Sequence, residues 1–344
     1  MTCVIVRFLR TRALRPSAVA ASLVALLVLA ACGSGSTGGS SSPDTGGSGA
    51  AFPVTVTHKF GTTTIPAAPQ RVVSLGYTDQ DALLALGVVP VGIREFTGNQ
   101  PSATWPWAQP KLAGQTPTVL PVGDVSTEAI AALRPDLIVD ISAGLTQETY
   151  DTYSKIAPTI AQPAGFVDYG TPWQDATRLT GQALGRSAEA DKLVSDLEVR
   201  FAQVKQQHPA LVGKSVAGVR PSSNDNASFF VWGSQDLRAR AFESMGMVTP
   251  AEFNALAGNQ FYATISTEEL SKLDQADVLV LITSSAQERQ TFESLPGYAN
   301  LKAVKEGKVV VLDDQQSAAL SFSSALSLPS VLDTLPGQLA AKLG

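Results

Sequence analysis

The feature that most constrains this chain is an internal echo. The segment Ser126-Thr127-Glu128, a run to Leu133 and then Pro135-Asp136-Leu137-Ile138-Val139 recurs in outline 140 residues later. The second copy reads Ser266-Thr267-Glu268, a run to Leu273 and then Asp277-Val278-Leu279-Val280, with one residue inserted. Each copy is a hydroxyl cap, an early glutamate, a short helix with one apolar face and a strand. A unit repeated at about half of a chain of 344 residues predicts two similar lobes.

The segments around the echo fit α/β lobes. Val54–Thr57 and Thr62–Pro66 are short extended pieces, and Arg71–Leu75, Val88–Ile93 and Leu137–Val139 are strands. Asp79–Leu86 is a helix with Ala82, Leu83 and Leu86 on its apolar face, stopped by Gly87. Later strands are Val216–Val219, Ser228–Trp232, Asp277–Ile282 and Lys308–Leu312; helices cover Asp236–Ser244 and much of Leu328–Leu343, where Pro336 and Gly337 complicate the course. Between the halves, Thr171-Pro172-Trp173-Gln174 is a helix start with Thr171 as hydroxyl cap and Pro172 at the first helical position. That helix stops at Gly185. A longer one runs from Ser187 to Gln207, with Leu193, Leu197, Phe201 and Val204 on one face. Its length of roughly 30 Å can carry the chain from one lobe to the other. The predicted fold is two Rossmann-like α/β lobes joined by one long α-helix, with a ligand cleft between them. The lobes are 53–186 and 210–344, and the connection is 187–209.

The first residues have the form of an export signal. Arg7, Arg10, Arg12 and Arg15 precede an apolar stretch from Ala18 to Ala31 that is interrupted only by Ser22, too short for a membrane span. Leu29-Ala30-Ala31-Cys32 resembles the bacterial lipobox, which implies cleavage after residue 31 and lipidation of Cys32. Residues 32–52, Gly/Ser-rich from Gly33 to Ala50, then form a flexible tether. Losing residues 1–31 removes four arginines and no acids, so the formal charge falls from −5 to −5 − 4 = −9. An acidic chain has no basic surplus for nucleic acid, and the lipid, not a basic patch, would anchor it to the extracytoplasmic face of the cell membrane.

The order of several weak marks resembles the substrate-binding proteins of bacterial ABC importers for iron-siderophores, haem and cobalamin. These marks are Pro69-Gln70-Arg71-Val72-Val73-Ser74, Asp81 through Gly92, Glu128 through Ile138, Ile156-Ala157-Pro158-Thr159, Glu268, and Leu301 through Val311. The resemblance covers residues 67–344. It implies a monomeric receptor whose Glu128 and Glu268 dock onto arginines of a permease dimer, where separated charge pairs orient the encounter more than they add affinity. Both glutamates also have a plain helix-end role, because an early acid favours the positive end of a helix, and Glu269 is placed to close a capping box with Ser266. The long connecting helix implies small lobe motion and a cleft largely formed in advance.

Ligands of parallel sheets sit beyond the carboxyl ends of the strands. The exits point to Tyr77, Arg94 and Ser142 in the first lobe, with Trp105 and Trp107 in a loop that closes over one side. In the second lobe they point to Arg220, Trp232, Arg238, Tyr262 and the loop from Thr283 to Arg289. A ferric siderophore brings its own iron ligands, so such a protein needs no metal site and no resident cofactor. Haem and cobalamin are the alternatives within the class; His58 and His208, the only histidines, are poorly placed as axial ligands. No Gly-x-Ser-x-Gly elbow or phosphate-binding loop is present, which argues against an enzyme. A non-catalytic surface structural protein is the reading outside the class.

Overall fold

The computed structural model describes residues 51–222 and 227–344. The export segment, Cys32 and the tether through residue 50 lie outside the described residues. The strands β1 (Val54–His58) and β2 (Gly61–Ile65) form an antiparallel hairpin whose Val56 and Ile65 seat on the first lobe.

That lobe is a five-stranded sheet of β3 (Val72–Ser74), β4 (Gly92–Arg94), β5 (Thr118–Leu120), β6 (Leu137–Asp140) and β7 (Thr159–Ala161). The order is β5-β4-β3-β6-β7, and every pairing is parallel. The helices α1 (Asp79–Ala85), α2 (Thr127–Ala132) and α3 (Gln147–Tyr153) make crossovers. Both faces of the sheet are covered at its centre, so β3, β6 and β7 are buried along their whole length rather than alternating.

The second lobe holds β8 (Val216–Pro221), β9 (Ser228–Trp232), β10 (Tyr262–Ser266), β11 (Val278–Leu281) and β12 (Val309–Val311). Its order, β10-β9-β8-β11-β12, is the first lobe's order advanced by five, so the echo is a true architectural repeat. The departure is direction: β9 pairs antiparallel with both β8 and β10. Six residues, 222–227, separate β8 from β9, whereas a parallel return needs about a dozen or more. The helices of this lobe are α6 (Leu237–Ser244), α7 (Ala251–Ala257), α8 (Ala286–Glu293), α9 (Lys302–Lys305), α10 (Asp314–Phe322) and α11 (Leu328–Leu343). α11 runs on through Pro336, which is buried.

Two helices join the lobes where the sequence predicts one. The helix α4 (Trp173–Ala183) starts with Trp173 in the second lobe's core and ends with Leu179, Ala183 and Leu184 in the first lobe's core. The helix α5 (Ser187–Gln207) makes the opposite passage: Ala190 and Leu193 pack on the first lobe, Val194, Leu197, Phe201 and Val204 on the second. The apolar stripe read from the sequence is therefore shared between two cores.

Several local expectations are corrected. Pro172, not Thr171, occupies the cap of α4, and Thr171 Oγ1 is buried without a partner among the described residues. The strand expected from Val88 begins only at Gly92, because the Val88 amide donates back to Leu83 O as the chain leaves α1 and Pro90 has no amide to give. In the second copy of the echo the helix is a 3-10 segment, Thr267–Gln275. Ser266 accepts from the Glu268 amide rather than closing a box with Glu269, which leaves helical geometry and pairs with Lys272.

Candidate functional site

The first-lobe wall is built at the exits of β3 and β4. Gly76 is required there, since a Cβ would fall 2.0 Å from the Asp79 carboxylate that folds back beneath the turn. Asp79 accepts from the Ile141 and Ser142 amides at 2.7 and 3.0 Å, tying the exits of β3 and β6 together. Tyr77 then stacks on Phe96 at 4.6 Å between ring centres and on Tyr169 at 5.8 Å. The Arg94 guanidinium lies over the Tyr77 ring at 4.3 Å and donates to its hydroxyl at 2.9 Å.

From there aromatic rings continue in both directions. Phe96 meets Phe322 of α10, Phe322 meets the edge of Trp107, and Trp107 stacks on Trp105 at 5.2 Å with the planes 3° apart. The other way, Tyr169 meets Phe261, which meets Tyr262, which meets Phe230. Nine rings thus run from the edge of the second sheet across the first-lobe exits to the Trp105 loop. Gly98 lets Trp105 lie flat: it sits at φ +88°, and a Cβ would meet the indole at 2.5 Å.

The second-lobe wall carries guanidinium groups. Arg238 is held by Asp236 through Nε and Nη2, at 2.8 and 2.6 Å, and lies over the Trp232 ring at 4.3 Å. Arg220 donates to Glu288 at 2.8 Å, its one such bond among the described residues. Between the walls is a cavity of about 550 Å³ bounded by Phe96, Trp105 and Pro106 on one side and Arg220, Arg238, Thr283 and Ser321 on the other. That volume suits a small-molecule ligand. The lobes close together below it, leaving only about 20 Å³ between Thr78, Ser142, Trp173 and Ser324.

Buried acids lie behind the first-lobe wall. Burial pushes Asp140 up to about 8; the neighbouring Asp79 charge adds to this, and Arg94 and Lys59 oppose it. Its Oδ1 has no hydrogen-bond partner among the described residues. Burial also raises Asp79 and carries Asp81 to about 6, against hydrogen bonds from Ser324 and Trp107.

The structure places the expected cleft residues in three settings. Trp105, Arg220 and Arg238 border the cavity. Tyr77, Arg94 and Tyr262 belong to the aromatic run or lie upon it. Trp107 packs behind Trp105, Trp232 lies in the second-lobe core beneath Arg238, and Ser142 sits in the seam, accepting from Thr78. Tyr169, Phe261 and Phe322 were not singled out by the sequence; they come from loops and a helix end with no strand-exit signal. Glu128 and Glu268 are exposed, and neither forms an ion pair with another described residue. Each begins a helical segment that leads into β6 or β11, which puts it at the carboxyl end of its sheet, the end that faces the cleft.

Comparison with known proteins identifies this architecture. The periplasmic binding protein family model matches residues 72–316. The chain belongs to that family. This periplasmic binding protein is 29 % identical over 308 residues to the probable siderophore-binding lipoprotein YfiY of Bacillus subtilis, covering 85 % of this chain and 88 % of the relative. A periplasmic solute-binding protein from Mycobacterium smegmatis superposes with a TM-score of 0.76 at 39 % identity, covering 85 % of this chain and 99 % of that one. Streptococcus pneumoniae PiaA in complex with ferrichrome superposes with a TM-score of 0.72 at 28 % identity, covering 84 % and 98 %. The family is a class of transport receptors, not of enzymes. Among the described residues no helix is long and apolar enough to cross a membrane, and no group of three or more His, Cys, Asp or Glu could hold a metal ion.

Proposed function

We propose that this periplasmic binding protein captures a ferric siderophore outside the cytoplasmic membrane and delivers it to an ABC importer. The cavity carries the reading: aromatic rings and guanidinium groups form its walls. In this reading iron arrives already chelated, and the protein recognises the chelate by shape, apolar contact and charge. The ligands for which two of its relatives are named or were crystallised, a siderophore and ferrichrome, support the same class. Tyr77, Arg94, Trp105, Arg220 and Arg238 are the residues of this chain nearest that task, with Trp107, Ser142, Trp232 and Tyr262 supporting them. The receptor acts as a monomer tethered through acylated Cys32, and Glu128 and Glu268 orient it on the permease dimer.

Tryptophan fluorescence tests the ligand directly, because Trp105 borders the cavity. Ferrichrome, a ferric catecholate, ferric citrate, haem and cobalamin are titrated in turn. Saturable submicromolar quenching by one ferric chelate is expected; binding of haem or cobalamin alone would overturn the siderophore reading. Docking is tested separately. The double substitution Glu128→Lys and Glu268→Lys is expected to lower iron uptake at least tenfold in cells while chelate affinity stays unchanged. Unaltered uptake would remove both glutamates from the docking role.

A further inference from the structure

Asp81 lies on α1, is fully buried, and is not accounted for by ligand contact or by docking. One of its carboxylate oxygens, Oδ2, accepts two hydrogen bonds from opposite sides of the cleft. Trp107 Nε1 of the first lobe donates at 2.9 Å. The Ser324 hydroxyl of the second lobe donates across 243 positions of sequence. The Ser324 oxygen is itself held from behind: the Leu326 and Ser327 amides donate to it at 3.2 and 2.9 Å, and its own amide donates to Ser327 Oγ. Its hydroxyl hydrogen points at Asp81 because its lone pairs are already occupied.

Both ends of this bridge reach the ligand cavity. Trp107 stacks on Trp105, which borders the cavity. Phe322, two residues before Ser324, closes α10 and sits against both Phe96 and Trp107. Bonds to a charged carboxylate in a dry seam are short and strong compared with neutral ones.

We propose that Asp81 is a positioning residue that fastens the two lobes, fixing the distance between the Trp105 wall and the α10 wall. The inference rests on the cleft being the ligand site, but the fastening itself is tested in protein to which no chelate has been added.

The test reads each variant in the lobe it does not alter. Asp81→Asn keeps the side-chain volume but replaces the charged oxygen that accepts both bonds with a neutral amide oxygen, which weakens both. Hydrogen exchange at the Leu326 and Ser327 amides is expected to quicken at least tenfold, although their acceptor Ser324 is intact. Ser324→Ala removes the donor to Asp81 together with the acceptor of the Leu326 and Ser327 amides, all within the second lobe. It is expected to change the near-ultraviolet circular dichroism of the stacked Trp105–Trp107 pair in the first lobe. In both variants ferrichrome, the probe chelate, is expected to bind about tenfold more weakly, and the double variant no more weakly than either single one.

If both opposite-lobe signals match those of the unaltered protein, the proposal is overturned. If they shift while the unaltered protein binds none of the chelates, the fastening stands and the siderophore reading falls. Should Asp81→Asn not fold, Ser324→Ala carries the test alone, since alanine there removes a single hydroxyl and adds no volume.

Discussion

The two lobes share a strand order but treat their acids in opposite ways. In the first lobe the carboxylates whose titration is displaced, Asp79, Asp81, Glu95 and Asp140, are all pushed up by burial. In the second, Asp277 and Glu306 are pulled down, the first mainly by the Ser215 amide and the second by Lys308. The second lobe's buried Asp236 is clasped by Arg238. The cleft therefore has one wall of rings backed by strained acids and one of guanidinium groups already holding carboxylates. A chelate entering it meets apolar area on one side and must compete for positive charge on the other.

The largest expected effect strikes the first wall. With its folded pKa raised from 3.8 to about 8, Asp140 binds a proton in the folded state that it releases on unfolding across that window. Stability is then full below pH 4 and declines as pH rises toward 8, by at most roughly 6 kcal/mol. Asp140→Asn should flatten that decline and raise the melting temperature at pH 8 while leaving it nearly unchanged at pH 4. A parallel fall in both proteins would mean the acid is ionised and hydrated, and the contrast between the lobes would lose its strongest member.

Next comes the clasp on the second wall. Arg238→Ala strands Asp236, which is only 3 % exposed, and should cost about 3 kcal/mol of stability. Arg220→Ala should cost no more than about 1 kcal/mol, because Arg220 and Glu288 are 29 % and 27 % exposed. Equal losses in urea unfolding would show that the two arginines are held alike. Trp105→Ala, checked for an intact fold, should weaken the preferred ferric chelate about thirtyfold or more, the loss of one aromatic anchor. The smallest effect sharpens the comparison most. Glu288→Gln frees Arg220, so anionic chelates should bind about fivefold tighter while neutral ferrichrome is unaffected. Calorimetric titration with ferric citrate and ferrichrome separates these outcomes.

Much of the fold was legible because it follows from patterns that local physics enforces. The echo marked the two sheets, and the spacing of Leu197, Phe201 and Val204 marked the long helix. What escaped was decided by tertiary context. Thr171 and Pro172 have the composition of a capped start, yet the chain places proline at the cap and leaves the threonine hydroxyl unpaired among the described residues. α1 looked amphipathic, but Leu84 and three polar residues, Asp79, Gln80 and Asp81, are buried with its apolar face, because a lobe covers each side. The site divided the same way. Strand exits found Tyr77, Arg94 and Arg220, which lie where a sheet ends. Tyr169, Phe261 and Phe322 reach the same run of rings from places without a periodic signal, and only the packing of one lobe on the other brings them together.

The α4–α5 pair has a consequence for how the molecule comes apart. Each helix contributes side chains to both cores, and the chain reverses between them within Leu184 to Arg186. Melting one lobe would therefore strip apolar cover from the other. A body with two sheets would ordinarily show two heat-absorption peaks, one per lobe. Here the shared helices make the lobes a single cooperative unit, so calorimetry should record one peak whose van't Hoff and calorimetric enthalpies agree. Neither lobe is a part that can be cut free and expected to keep its shape.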